Sequence, residues 1–374
     1  MALTLAAKSP GDTLAVRFIA EGGQLAADVA HLIAGFIAKA EQTLDIAIYD
    51  SRLDEDAAEP IRSALHDRVR AGVRVRLVYD RSFRKPQSFA QFDQIGGDFA
   101  EEATHQRVDE LGLDGDSIRA VEGEGLMHHK FMIRDASAVW TGSMNWSNDS
   151  MSRMENTLVD LLSPEIAAHF AHAFEQLWSS GRTTESGQFR TEPVALRYAG
   201  LRADTDVDFS PGQGQHINEW VAKRVLRAER RIVFCSMLIN SSKLLAALME
   251  VLDRPGFELW GVYDQTQVAG VLHQWQERPD LRWKVDALNR LLETAAMVGK
   301  RSQPYRPGQS HNFMHNKLLI VDETVITGSY NLSHAAQANA ENMLAITSAE
   351  LSKNALSYVR TLQNRFRDKA ADNS

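Results

Sequence analysis

The segment His128–Asp135 reads HHKFMIRD and is followed by Gly142–Asn145, which reads GSMN. A second segment, His315–Asp322, reads HNKLLIVD and is followed by Gly328–Asn331, which reads GSYN. Both segments fit the pattern H-x-K-x4-D followed by G-S-x-N. A chance match to six fixed letters has a frequency on the order of 10^-8 per starting position at average composition. Two copies in one chain therefore indicate a duplicated functional unit.

The duplication extends through most of the chain. The two motif histidines lie 187 residues apart in a chain of 374 residues. Upstream, residues 44–50 parallel 232–238, and residues 75–80 parallel 259–264. A period this long is not that of a solenoid, whose units are short and numerous. The sequence therefore predicts two lobes, residues 1–187 and 188–374, that meet in the polar, glycine-bearing stretch Ser179–Gly187.

Short apolar runs alternate with helical segments in each lobe. Leu44–Tyr49 and Val73–Tyr79 have the pattern of strands, and Ala57–Ala71 has that of an amphipathic helix. Residues 231–239, 243–252 and 257–263 repeat this order. Strands linked through helices indicate an α/β fold with mixed, largely parallel sheets flanked by helices. Each H-x-K segment is an apolar run followed closely by another, which predicts that a hairpin carries the motif.

These residues resemble the phospholipase D superfamily, whose hallmark is a pair of H-x-K-x4-D motifs, each followed by G-S-x-N. The resemblance covers both motifs and nearly the whole chain. It implies two similar α/β/α lobes in a bilobal, pseudo-twofold fold, with both motifs converging on one site. The candidate catalytic residues are His128, Lys130, Asp135, His315, Lys317 and Asp322.

The chemistry implied by this resemblance also suits the residue types. Displacement at a phosphodiester in two steps needs a nucleophile and a proton donor on opposite sides. One histidine would form a phosphohistidine while the other protonates the leaving oxygen. His128 is the candidate nucleophile because the first copy tends to attack in this family, but the near-symmetric sequence leaves the two roles exchangeable. Lys130, Lys317 and two asparagines would hold the phosphate oxygens.

Further residues are candidates for binding phosphate or orienting the imidazoles. Glu155 and Glu341 are candidates to hold a ring nitrogen of the histidines, and Ser143 and Ser329 to shape the phosphate pocket. Asp135 and Asp322 could instead be structural hydrogen-bond partners. The candidate phosphate-binding or orienting group is Ser143, Asn145, Glu155, Ser329, Asn331 and Glu341.

No metal or other cofactor is expected. The sequence has no H-E-x-x-H, and one cysteine can form neither a thiolate cluster nor an intramolecular disulfide. A net charge of -8 argues against a broad polyanion-binding surface but leaves room for a local basic groove. The candidate groove residues are Arg81, Arg84, Trp146, Arg301, Tyr305 and Tyr330. A solvated loop or core packing is an equally good interpretation of these residues.

The motifs do not determine the substrate beyond a phosphodiester. The second copy is most similar to the compact bacterial nuclease branch, so a metal-independent nuclease acting on DNA or RNA is the favoured hypothesis. A phospholipase D or transphosphatidylase acting on phospholipid headgroups is the first alternative, and a catalytically silent phosphate-binding scaffold is the second. The sequence has neither an apolar stretch of 18 residues nor a signal-peptide core, so a cytoplasmic protein without a transmembrane segment is expected. It identifies no protein partner.

Overall fold

The computed structural model describes residues 12–81, 104, 106–304, 306 and 309–371. The first-half strands are β1 (Thr13–Ile19), β2 (Thr43–Ile48), β3 (Ser51–Arg52), β4 (Arg74–Asp80), β5 (Ile118–Val121), β6 (Lys130–Arg134), β7 (Ala138–Gly142), β8 (Trp146–Ser147) and β9 (Asn156–Leu162). The second-half strands are β10 (Val194–Tyr198), β11 (Leu201–Ser210), β12 (Arg231–Ser236), β13 (Glu258–Asp264), β14 (Ala296–Lys300), β15 (Lys317–Val321), β16 (Thr324–Gly328) and β17 (Glu341–Thr347).

Helices flank these strands. They are α1 (Ala26–Ile37), α2 (Glu55–Arg70), α3 (Asn148–Ser152), α4 (Pro164–Ser180), α5 (Gly214–Leu226), α6 (Ser242–Val251), α7 (Gln265–Gln276), α8 (Arg282–Thr294) and α9 (Ala349–Ala371). Helix α4 shows how local sequence sets an element: the Ser163 side chain accepts a hydrogen bond from the Ile166 amide, Pro164 occupies the first turn, and Gly181 ends the helix with φ 69°. This predicted helix is confirmed. No helix in the described ranges is long and apolar enough to cross a membrane.

Fifteen strands form one continuous sheet within the described residues, in the order β14-β13-β12-β15-β16-β17-β11-β10-β1-β9-β7-β6-β2-β4-β5. The first half contributes β1-β9-β7-β6-β2-β4-β5, and the second half repeats that order as β11-β17-β16-β15-β12-β13-β14. Strand β10 lies between β11 and β1 and so joins the halves. The repeated order confirms an α/β fold of two similar lobes. The lobe boundary at residue 187 stays a prediction.

The sheet is mixed, but it is not largely parallel as the sequence suggested. Parallel pairing joins β2 to β4, β4 to β5, β12 to β13, β13 to β14, and β1 to β10. The pairings around both motifs are antiparallel, including β6 with β7 and β15 with β16. Each motif strand is followed by a tight turn, and a tight turn can connect only antiparallel neighbours, whereas a parallel pair needs a long crossover. The predicted motif hairpins are confirmed.

Three apolar clusters surround the sheet. One lies under α1 and α2 and contains Ile33, Leu65 and Trp140, and a second is formed by second-half elements around Phe234 and Leu248. The third contains buried residues from both halves, including α4 and α9. Each lobe therefore has its own core, while the shared cluster packs the halves together beneath the motif strands.

Candidate active site

The motif histidines precede the first residues of strands β6 and β15. His128 and His315 are only 6% and 8% exposed, and the lysines two residues further along are buried as well. Each lysine Nζ donates to the backbone oxygen of its own motif histidine, at 2.6 Å for Lys130 and 2.7 Å for Lys317. Because alternate residues of a strand share a face, each H-x-K segment directs its imidazole and ammonium to the same side.

The two motifs meet across the seam between the halves. Glu341 Oε2 lies 2.7 Å from Nδ1 of His128, and Asn156 Oδ1 lies 3.1 Å from Nδ1 of His315. Each histidine is thus held by the opposite half of the chain. The His128 amide also donates to the Ala340 carbonyl at 2.9 Å, which ties the first motif to the strand that carries Glu341. The convergence of both copies on one site is therefore explicit in the hydrogen bonds.

The charges at the site favour binding of an anion. Burial lowers the pKa of Lys317 to about 7, and burial with the nearby charge of Lys317 lowers the pKa of Lys130 well below its ordinary value. Burial and both lysines also lower the pKa values of His128 and His315 well below the usual range. Removing these groups from water disfavours their cationic forms, and their mutual repulsion adds to that cost. An anion bound among them would reverse both effects.

Glu341 is a buried carboxyl that faces three bases. Burial raises its pKa to about 8, while Lys130 acts in the opposite direction. Asn339 Nδ2 donates to Glu341 Oε1 at 3.0 Å, and the side chain of Ser329 also forms a hydrogen bond with this carboxyl. These contacts fix the carboxyl beside Nδ1 of His128. Nε2 of that imidazole remains the nitrogen available for chemistry.

The two motif serines hold the histidine partners in place. Ser143 Oγ donates to Asn156 Oδ1 at 2.7 Å and accepts from the Thr157 amide. In the second copy, Ser329 Oγ accepts from the Asn342 amide at 3.0 Å. These contacts place the serines behind the imidazoles as orienting groups. Asn145 and Asn331 are 8% exposed, and Asn145 Oδ1 is a buried atom without a hydrogen-bond partner among the described residues.

Glu155 does not hold a histidine, contrary to the sequence-based expectation. Its Oε2 accepts from Lys300 Nζ at 2.6 Å, and its Oε1 accepts from the Glu21 amide at 3.3 Å. Asn156, the next residue, takes the place beside His315. Neighbouring strand residues point to opposite faces, so the two side chains cannot serve the same site.

Asp135 and Asp322 lie at the far ends of their strands, which corrects their grouping with the catalytic residues. Each is the fifth residue after its lysine along the strand, or roughly 16 Å away. Both have positive φ, 51° and 52°. Asp135 accepts from the amides of residues 41–43, and Asp322 from those of residues 229–231, at 2.7 to 3.2 Å. They fasten the hairpin turn to the preceding loop and serve the structure.

The candidate groove is not assembled as proposed. Trp146 and Tyr330 are 3% and 5% exposed and lie in the cores of the first and second lobes, because they alternate with the site-facing asparagines. Arg81 and Arg301 are exposed. Arg84 and Tyr305 lie outside the described residues.

Several residues that support the motif histidines were not predicted from the sequence. Asp80 Oδ1 accepts from the Met127 amide at 2.6 Å, and Asp264 Oδ2 accepts from the Met314 amide at 2.9 Å, so each fixes the residue before a motif histidine. The parallel between segments 75–80 and 259–264, which both end in Tyr-Asp, was the available signal. Tyr49 packs on the His128 ring with centroids 4.7 Å apart, and Lys130 Nζ lies 4.7 Å from the same Tyr49 ring.

The described ranges contain no group of three His, Cys, Asp or Glu residues that could hold a metal ion. The donor set also suits an anion better than a cation, because two lysines lie beside the histidines.

The chain is similar to known proteins in sequence and in fold. The cardiolipin synthase, PLD-like domain model matches residues 33–178 and 221–362. A mitochondrial cardiolipin hydrolase from Chlamydomonas reinhardtii is 27% identical over 143 residues, covering 38% of this chain and 54% of the relative. A phospholipase D from Rickettsia bellii is 30% identical over 167 residues, covering 43% and 72%. The chain thus spans about half the length of the cardiolipin hydrolase it matches.

A solved structure has the same fold over nearly the whole chain. It is the phosphatidylserine synthase of Haemophilus influenzae Rd KW20, with a TM-score of 0.63, 15% identity, and coverage of 94% of this chain and 86% of the synthase. At that identity the likeness concerns the fold alone. The family model spans both motif copies and well over half of the chain. The chain therefore belongs to the cardiolipin synthase, PLD-like domain family of the phospholipase D superfamily.

Proposed function

We propose that this protein is a phosphodiesterase that cleaves the headgroup phosphodiester of a glycerophospholipid through a covalent phosphohistidine. The observation that carries the chemistry is the convergence of His128 and His315, each buried beside a lysine, on one site held from both halves of the chain.

The first step transfers the phosphoryl group to the enzyme. Nε2 of one histidine attacks phosphorus, the bond from phosphorus to the headgroup oxygen breaks, and the other imidazolium gives its Nε2 proton to that oxygen. Lys130 and Lys317 offset the charge that develops on the nonbridging oxygens.

The second step releases the product. The imidazole that gave up its proton takes one from water, and the water oxygen attacks phosphorus while the bond from phosphorus to nitrogen breaks. The products are the headgroup alcohol and phosphatidate. An acceptor alcohol in place of water would give headgroup exchange by the same path.

The substrate class rests on the relatives. Those named above are a cardiolipin hydrolase and a phospholipase D, and the matching family model carries cardiolipin synthase in its description. The nuclease that the sequence alone favoured receives no support from them. The formal net charge of -8 also suits a phosphate site that is local and not part of a broad polyanion surface. The phospholipid alternative is therefore the proposal.

The test is cleavage of defined lipids in detergent micelles containing EDTA. Cardiolipin, phosphatidylglycerol and phosphatidylcholine are incubated in ¹⁸O-labelled water, and phosphatidate is measured by mass spectrometry. We expect one ¹⁸O atom in the phosphate of the product, and loss of product in His128→Asn and His315→Asn. His31→Asn is the matched control, because His31 is exposed and contacts the Ala27 carbonyl on its own helix.

Labelled single-stranded and double-stranded DNA and RNA are assayed beside the lipids. Nucleic-acid cleavage that both motif variants abolish, without lipid cleavage, would overturn the phospholipid proposal and restore the nuclease. Lipid cleavage that persists in either motif variant would overturn the two-histidine mechanism.

A further inference from the structure

The buried Tyr49 ring contacts both functional groups of the first motif. Strand β2 ends at Ile48, which pairs with Lys130, and the Tyr49 amide continues that pairing by donating to the His129 carbonyl at 2.9 Å. Lys130 Nζ lies over the Tyr49 ring, 4.7 Å from its centroid. The centroid of the His128 ring is also 4.7 Å away, with the two planes at 59°. One aromatic side chain therefore lies against the ammonium and the imidazole together.

The second copy has no aromatic ring at the equivalent position. Ser236 at the end of β12 pairs with Lys317, just as the last residue of β2 pairs with Lys130. The counterpart of Tyr49 is therefore the next residue, Met237, which is buried. A thioether is polarisable, but it lacks the negative face of an aromatic ring. The two copies thus differ in the side chain that follows this strand pairing.

The first motif needs support for positive charge because it is removed from water. Burial is the main cause that lowers the pKa of Lys130, and the charge of Lys317 acts in the same direction. The carboxyl groups that act in the opposite direction are Glu341, Asp50 and Asp80. The face of an aromatic ring also attracts a cation within about 6 Å, and most strongly where water is excluded. Tyr49 therefore offsets part of the cost of holding a charge at Lys130.

We infer that Tyr49 is a positioning residue: its ring supports positive charge on Lys130 and holds the His128 imidazole beside that charge, so that both groups meet the same phosphate. The effect on turnover rests on the proposed phosphodiesterase chemistry, whereas the effect on anion binding does not. A protonated His128 ring is also a cation, and the same aromatic ring attracts it. Tyr49 itself forms no bond to the substrate and exchanges no proton with it.

The first test needs no substrate and separates ring electrostatics from packing. Tyr49→Phe keeps the ring and is the reference for a series in which the phenylalanine at position 49 carries one, two or three ring fluorines. Fluorine withdraws electron density from the ring face and changes the shape little, so a cation–π contact weakens stepwise. In protein with ¹³C-labelled lysine side chains, we expect the Lys130 pKa to fall with each added fluorine. The signal is assigned by its loss in Lys130→Gln.

The second copy supplies the matched variants. Tyr49→Met gives the first copy the residue of the second, and we expect the Lys130 pKa to fall at least as far as with three fluorines. Met237→Leu alters a buried side chain that has no aromatic face, and it should leave the Lys130 pKa as in the wild type. A Lys130 pKa that is the same across the fluorinated series would overturn the role of the ring.

The second test measures the effect of the ring on anion binding and on turnover. The affinity for sulfate at pH 8 and kcat for a small bis(p-nitrophenyl) phosphodiester should each fall by about 10-fold from Tyr49→Phe to the trifluorinated variant, as a weakened cation–π contact predicts. The melting temperature should stay constant along the series. The reason is that charge on Lys130 offsets the charge of the bound anion and of the transition state.

The outcomes keep this inference separate from the proposed function. If the wild type cleaved no phosphodiester, the proposed function would fall, and the Lys130 pKa with the sulfate affinity would still decide the role of the ring. A stepwise decrease in both supports that role. A melting temperature that falls along the series, with the sulfate affinity and kcat unchanged, would make Tyr49 a packing residue and overturn the inference.

Discussion

Anion binding at this site should take up protons, and Lys317 should account for about one of them. With a pKa of about 7, Lys317 is roughly one-tenth protonated at pH 8 in the empty site. A bound dianion restores the charged form, because an opposite charge within a few ångströms favours it. Lys130, whose pKa burial also lowers well below its ordinary value, can contribute up to one more proton.

The magnitude follows from linkage. Uptake of one to two protons makes the dissociation constant of sulfate rise about 10-fold to 100-fold between pH 8 and pH 9, because each proton contributes one logarithmic unit. The sign is fixed by the direction of the shift: binding raises the lysine pKa values, so affinity falls as pH rises. Sulfate is the probe because it stays a dianion across this range.

The assay is calorimetric titration with sulfate in two buffers of different ionisation enthalpy. Lys317→Gln should remove about one proton from the uptake and lower the pH slope by about one unit. Lys243→Gln is the matched control, since Lys243 lies on the surface in an ion pair with Glu219. A wild-type affinity that stays flat from pH 7.5 to 9, or an unchanged slope in Lys317→Gln, would refute the reasoning.

Three further predictions concern the scaffold around the site. Asp135→Ala and Asp322→Ala should each lower the free energy of unfolding by about 1–3 kcal/mol in urea titrations at pH 7 with kcat unchanged, since each leaves backbone amides unpaired. Those amides lower the aspartate pKa despite partial burial, so the loss in free energy of unfolding should shrink as pH falls below about 3.8. A lower kcat in either variant would argue against a purely structural role for the aspartates. Lys300→Met should lower the free energy of unfolding by about 3–5 kcal/mol, because it leaves the Glu155 carboxylate buried without its cation. The double variant Lys300→Met with Glu155→Leu should recover most of that loss. If the two single effects simply added in a double-mutant cycle, the ion pair would be contradicted. Gly125→Ala should reduce turnover and thermal stability together, because its Cβ would lie 2.1 Å from a backbone oxygen of the second half, and a wild-type melting temperature would count against that close approach.

Sequence patterns were sufficient for the elements that local rules control. The helix after Ser163 has a capping hydroxyl, a proline in its first turn and a glycine beyond its end, and each rule acts within a few residues. The motif hairpins follow from two apolar runs separated by a short turn. The convergence of the motifs could be expected because the motif is present twice, but only through the resemblance to a known family.

The histidine partners could not be read from the sequence. Both copies place Glu-Asn ten residues after the motif asparagine, so Glu155 aligns with Glu341 letter for letter. The difference arises between those positions, where the first copy forms helix α3 and the second a short 3₁₀ turn at Ala335–Gln337. That local choice sets the register of the next strand and therefore which side chain faces the site.

Asp135 illustrates a second limit. An aspartate that is present in both motifs suggests a catalytic role, but its presence shows only that both copies need this residue. The strand direction, which the letters do not encode, carries this carboxylate away from the imidazoles and into a turn of positive φ. The pairing of Asp80 with the Met127 amide is likewise visible only once the strand ends are placed together.

The continuous sheet has a consequence for any attempt to divide the protein. Strand β10 pairs with β11 over five residues on one side and with β1 at the single pair Thr13 and Arg197 on the other, so a cut between the halves would leave one edge of β1 and one edge of β10 without a neighbour and would uncover the apolar cluster that both halves share. Bare strand edges seek new partners. Separately produced halves should therefore reassemble with one another or self-associate. Because both halves belong to one chain, every site is formed by one first half and one second half. The two histidines can therefore have different partners, a carboxyl group for His128 and an amide for His315.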